Sequence, residues 1–157
     1  MRHKLLFTCA FICLLGSAST RASSETTKDY RMAAALQALF AVGVRYHYGG
    51  NSPDTGFDCS GLVHYVFLQY GINLPRIVEE QWQVGDKVKP SEIKPGDLLF
   101  FSTKGPGATH VAIAVDSGHF VHAPNSTGVV RVEALSSSYW GSHYIGAKRI
   151  GTSSASN

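Results

Sequence analysis

Gly56-Phe57-Asp58-Cys59-Ser60-Gly61-Leu62-Val63 is the stretch on which the fold turns. Downstream, Val63, Val66, Phe67 and Tyr70 recur at helical spacing until Gly71, and upstream Asn51-Ser52-Pro53-Asp54-Thr55-Gly56 is rich in turn formers. The spacing predicts a helix from Cys59 to about Tyr70 with Asp58 as its N-cap. A thiol on the first helical residue sits beside unpaired amides and the positive end of the helix dipole. Both favour the thiolate, the form that attacks carbonyls. The competing reading is a small buried cysteine filling the core where a helix begins.

Cysteine usage bears on that choice. Arg2, His3 and Lys4 precede the apolar run from Leu5 to Gly16, and Ser17, Ala18, Ser19 and Ala22 follow, which predicts a secretory signal over residues 1–22 with cleavage after Ala18 or Ala22. The run is too short for a stable membrane anchor. Cys9 and Cys13 fall inside it, so the exported chain keeps Cys59 alone and has no internal disulfide. An unpaired thiol in an oxidising compartment favours a reactive role. Of the 14 Lys and Arg, Arg2, Lys4 and Arg21 lie in or beside the signal, leaving 11 bases against 11 acids. That balance, without any basic run, argues against nucleic acid as a partner.

Residues Thr26 to Val42 read as a first helix ended by Gly43, and Val44 to Tyr48 alternate before Gly49-Gly50. Leu74-Pro75-Arg76 is extended, because a proline pushes its predecessor out of the helical region. Glu79 to Val84 suggests a short third helix. From Pro95-Gly96-Asp97 onward strands take over: Leu98 to Ser102, His110 to Val115, His119 to Ala123, Val129 to Ala134 and Tyr144 to Ile150. Helices first and strands second argue for one α+β domain over residues 23–150, with N-terminal helices packed on a mainly antiparallel sheet of five or six strands. Lys104-Gly105-Pro106-Gly107 reads as a loop that matches no phosphate cradle, and residues 151–157 as a polar, disordered tail.

A cysteine nucleophile needs an imidazole to take its proton, and the imidazole needs a third polar group to orient it. His110 and His122 sit on one predicted hairpin. A three-residue loop, Asp116 to Gly118, would close Val115 against His119, place Ala112 opposite His122 and put His110 on the same face, with Gly118 in the left-handed conformation. A two-residue loop would send the two histidines to opposite faces. His47, His64, His119 and His143 read as structural. Zinc would compete for Cys59, His110 and His122, but no close-spaced fourth ligand appears, so no metal or other cofactor is expected.

The ordered pieces Tyr46 before Gly49-Gly50, Asp58-Cys59-Ser60-Gly61-Leu62-Val63, Leu74-Pro75-Arg76 with Gln81, Pro95-Gly96-Asp97-Leu98, His110-Val111, Phe120-Val121-His122-Ala123 and Gly146-Ala147-Lys148-Arg149 resemble the NlpC family of papain-like bacterial cell-wall cysteine peptidases, from about Tyr30 to Ile150. The resemblance implies Cys59 as nucleophile, His110 as general base and acid, His122 as orienting residue and Tyr46 as active-site tyrosine, with Asp58, Ser60 and Arg76 facing substrate. It implies a monomeric hydrolase, in the periplasm or cell envelope or secreted, that cuts amide bonds of peptidoglycan stem peptides, most often between D-glutamate and the following diamino acid. Ile77-Val78 departs from the Ser or Thr that many members carry after Leu-Pro-Arg. An amidase or acyltransferase of the same fold, or an inactive wall-binding module, are the alternatives; the intact Cys-His-His set argues against the last.

Overall fold

The computed structural model describes residues 30–125 and 128–151. The signal segment 1–22, the expected start of the first helix at Thr26 or Thr27 and the tail from residue 152 lie outside the described residues. Helix α1 occupies residues 30–40, and Gly43 at φ 91° follows it. Its inner face is built from Ala34, Ala35, Ala38 and Ala41, whereas the larger Leu36, Leu39 and Phe40 face outward. Small side chains on that stripe let the helix approach the core closely. The Tyr30 hydroxyl donates to the Ile150 carbonyl, which ties α1 to the end of the last strand.

The segment read as an irregular loop contains a small hairpin, β1 (Asn51–Ser52) and β2 (Gly56–Phe57). It delivers the chain into α2 (Cys59–Leu68), whose N-cap is Asp58 as expected. The fit there is tight. A Cβ on Gly61 would come within 2.0 Å of the Gly50 carbonyl oxygen, so only glycine lets the helix start lie against the Gly49-Gly50 turn. Helix α3 (Val78–Gln81) is shorter than expected. It is followed by β3 (Asp86–Val88), which the sequence reading missed, and a 3-10 turn at Pro90–Glu92.

Then come β4 (Leu98–Phe101), β5 (His110–Ala114), β6 (His119–His122), β7 (Arg131–Ala134), the unanticipated helix α4 (Ser138–His143) and β8 (Tyr144–Arg149). The six strands β3 to β8 form one antiparallel sheet in the order β3-β8-β4-β5-β6-β7. The fold is α+β. Strands β4 and β5 are buried at every position because the sheet is covered on both faces. Leu98, Phe100, Val111, Ile113 and Val121 join the core under α1 and α2, while Leu99, Phe101, Ala112 and Phe120 join a second core with Trp140 of α4. Asp97, fully buried, accepts hydrogen bonds from Nε and Nη2 of Arg149, at 2.8 and 2.7 Å, and so fastens β8 to the entry of β4.

The β5–β6 hairpin has the three-residue loop that the histidine pair demands. Ile113 pairs with Val121 and Ala114 with Phe120, and the Val115 amide donates to the His119 carbonyl. Gly118, however, is not at positive φ. The loop is closed instead by the Asp116 carboxylate, whose Oδ1 accepts from the Gly118 and His119 amides at 2.7 Å each. That side-chain turn satisfies the loop donors without a left-handed residue.

Candidate active site

Helix α2 and strand β5 together place Cys59 and His110 on the wall of one cleft of about 620 Å³, which Tyr46 and Trp140 also line. Cys59 arrives from the helix side as the first residue of α2. Its sulfur meets the backbone amides of Val111 and Ser60. His110 opens β5, and its Nε2 lies 2.8 Å from Nδ1 of His122 on β6, so the predicted one-face pair forms. Nδ1 of His110 is then the nitrogen left for a thiol proton. For His110 to accept there, its Nε2–H must donate to His122 Nδ1, which puts the remaining proton of His122 on Nε2.

Trp140, which the sequence reading missed, covers this pair. Its ring stacks on His110 at 5.5 Å and 27° and stands perpendicular to His122 at 4.7 Å and 88°. His122 is fully buried, and its Nε2 has no hydrogen-bond partner among the described residues. An aromatic lid over the imidazole bond keeps water from competing for it. The available signal was Ser137 before Ser138-Tyr139-Trp140: the Ser137 hydroxyl caps α4 by accepting from the Trp140 amide at 3.3 Å. Six helical residues are too few to show a period.

Burial governs the charge states here. It pushes the Cys59 thiol up to about 11, against the Val111 and Ser60 amides, and the neighbouring Asp58 charge adds to the rise. It also pushes His110 down to about 4, helped by the Lys104 ammonium, and holds His122 well below the usual histidine value. The depressed thiol expected from the helix start is therefore corrected. A helix terminus is worth about 0.3–1 kcal/mol, whereas a rise from 9 to 11 corresponds to roughly 3 kcal/mol. The resting pair is thiol and imidazole, both neutral. Proton transfer from one to the other creates opposite charges on the wall of the same cleft, which the site tolerates better than either alone.

On the other side of Cys59 a hollow of about 420 Å³ is lined by Tyr46, Asp58, Ser60, Arg76 and Ile77. Here the expected substrate-facing residues hold one another. The Asp58 carboxylate accepts from the Gly61 and Gly49 amides at 2.7 and 2.9 Å and takes a bidentate pair from Arg76 at 2.9 and 2.8 Å. Arg76 also donates to Ser60 Oγ at 3.0 Å and to the Gly50 carbonyl at 3.2 Å. Asp58 is thus cap, loop anchor and counter-ion together. Of the departing Ile77-Val78, Ile77 is exposed on the hollow and Val78 turns into the core. Gln81, fully buried, donates to the carbonyls of Ser60 at 3.0 Å and Pro75 at 2.8 Å, which locks the Leu74-Pro75-Arg76 segment against α2.

The Tyr46 ring is half-buried beside Cys59; burial first, then the Cys59 thiolate where it forms and the Asp58 charge, raise its hydroxyl above the usual phenol value, so it remains a donor at neutral pH. No cluster of three His, Cys, Asp or Glu side chains suited to a metal occurs among the described residues, and no described helix is long and apolar enough to cross a membrane.

The sequence profile of the NlpC/P60 family matches residues 43–149. The chain is 40% identical to the Gamma-DL-glutamyl hydrolase of Bacillus subtilis (strain 168) over 150 residues, covering 94% of this chain and 36% of that protein. It is 43% identical over 115 residues to Murein DD-endopeptidase MepH of Escherichia coli (strain K12), covering 71% and 42%. Among solved structures, the peptidoglycan hydrolase RipB of Mycobacterium tuberculosis superposes with a TM-score of 0.70 at 30% identity, over 86% of this chain and 71% of that one. The chain spans about two fifths of the length of these curated relatives.

Proposed function

Because this chain belongs to the NlpC/P60 family, we propose that it is an exported, monomeric cysteine endopeptidase that hydrolyses amide bonds in peptidoglycan stem peptides through an acyl-enzyme. Cys59 Sγ attacks the scissile carbonyl carbon while its proton passes to His110 Nδ1. The Cys59 amide and the Tyr46 hydroxyl meet the developing oxyanion, each such donor being worth about 3–4 kcal/mol of barrier. His110 then gives the proton to the leaving amine; a water deprotonated by the same nitrogen adds to the acyl carbon, the C–S bond breaks to release a carboxylic acid, and His110 returns the proton to Cys59 Sγ. His122 fixes the His110 tautomer and orientation throughout.

Asp58, Ser60 and Arg76 wall the acyl or the leaving side of the substrate as well as bracing the loop. The bond proposed is the one after D-glutamate, in keeping with the name of the relative that aligns over 94% of this chain. The His110–His122 hydrogen bond of 2.8 Å, opening on the same cleft as Cys59, carries this reading. Incubating the purified chain from residue 23 with defined muropeptides, followed by mass spectrometry, tests it. Two fragments split after D-glutamate are expected, and none from Cys59→Ala. Cleavage of an unrelated amide with intact muropeptides would favour the amidase alternative.

A further inference from the structure

Lys104 lines both hollows, the one shared with His110 and the one shared with Arg76, so its chain stands at the middle of the cleft where a scissile amide must pass. It is held there. The Thr109 hydroxyl, one residue before His110, accepts from the amides of Thr103 at 2.8 Å and Lys104 at 3.1 Å, and Ser102 Oγ donates to the Gly105 carbonyl. The Gly-rich loop that matched no phosphate cradle is thus pinned to the base of the catalytic histidine.

The surrounding charges are largely spent on each other. Asp58 pairs with Arg76 at 2.8 Å and Glu133 with Arg131 at 2.8 Å, and Lys104 makes no ion pair among the described residues. Glu79 is also without an ion pair among them, but it reaches the second hollow alone. A cation beside His110 opposes the imidazolium that the reaction must form, and its field does reach that ring. Such a charge is tolerable if the substrate neutralises it.

We infer that the Lys104 ammonium docks a free carboxylate of the substrate close to the scissile amide, so that the preferred stem peptide carries D-glutamate with its α-carboxylate free and not amidated to isoglutamine. This rests on the peptidoglycan reading above. The carboxylate supplies the counter-ion that Lys104 lacks, and in doing so it lifts the opposition to proton transfer onto His110. Binding and the chemical step both gain.

The experiment compares two muropeptides that differ only in amidation of the D-glutamate α-carboxylate, with wild type, Lys104→Arg and Lys104→Met, reading kcat and KM from about pH 3.5 to 8 so that the acid limb set by His110, held at about 4, falls inside the range. Wild type is expected to prefer the free acid about tenfold in kcat/KM, equivalent to one charge-assisted contact. Lys104→Arg keeps the preference and Lys104→Met brings it near unity. The acid limb of kcat/KM for Lys104→Met moves to higher pH, since the charge opposing His110 protonation is gone, which a merely structural role of the loop would not produce. Equal cleavage of both peptides by wild type, or an unchanged preference in Lys104→Met, overturns the inference and leaves the endopeptidase reading standing. Failure to cut either peptide overturns both.

Discussion

The buried imidazole pair should make the fold acid-sensitive in a calculable way. His110 and His122 are neutral in the folded protein and ionise near 6.5 once unfolded; burial holds His110 at about 4 and His122 lower still. Between those limits the unfolded chain binds protons that the folded chain refuses. Their contribution to stability is therefore fully present above pH 6.5 and is lost as pH falls towards 4. Each group costs about 1.4 kcal/mol per pH unit well inside that window, so the pair removes about 4 kcal/mol between pH 8 and pH 5. That is a large part of the roughly 5–15 kcal/mol that keeps a domain folded. Urea unfolding followed by the fluorescence of Trp82 and Trp140 measures it directly. His122→Asn, which removes one of the two groups, should lose only about 2 kcal/mol over the same interval. A wild-type curve that is flat from pH 8 to 5, or one parallel to that of His122→Asn, refutes the neutral buried pair.

Other perturbations separate the roles of neighbouring residues. If His110 moves the proton as proposed, His110→Asn should lower kcat/KM on a muropeptide by at least about a thousandfold, while His122→Asn retains measurable activity since an amide oxygen can accept the same hydrogen bond. Trp140→Ala should lower kcat far more than it raises KM, with Trp140→Phe recovering most of the loss, because the ring covers the His110–His122 bond and stacks on His110 at 5.5 Å. Asp58→Ala should destabilise the fold by about 2–4 kcal/mol in thermal or urea unfolding, the sum of a lost N-cap and an unpaired Arg76, and Asp58→Asn by about half that.

The parts of the fold legible in the sequence were those where one period or one turn dominated. Asp58 followed by spaced apolar residues gave away α2 and its cap, and apolar runs bounded by Gly and Pro gave away β4, β5, β6 and β8. The elements that escaped are short and rest on tertiary contacts. Asp86–Val88 is polar and three residues long, and becomes a strand only because β8 offers it an edge at Val88–Ala147 and its neighbours. In α1 the apolar residues ran round the helix, so the pattern could not tell that the alanines, not Leu36 or Phe40, face inward. Loop length alone predicts a left-handed Gly118, whereas the Asp116 carboxylate closes the loop without one.

For the site, hairpin arithmetic was enough to bring His110 and His122 together, because a period of two leaves a single parity for a shared face. The same arithmetic could not weigh dielectric. Reading Cys59 as a helix-start thiol predicts an activated thiolate, yet the packing of β5 against α2 that brings the Val111 amide to the sulfur also removes the water that would solvate its charge. In the mechanism proposed, Cys59 is discharged at rest and becomes charged only as its proton moves to an imidazole that burial has likewise kept neutral. Activation is then a property of the occupied cleft. It depends on what the substrate brings beside Cys59 and His110, where Lys104, exposed on its loop, lines both hollows.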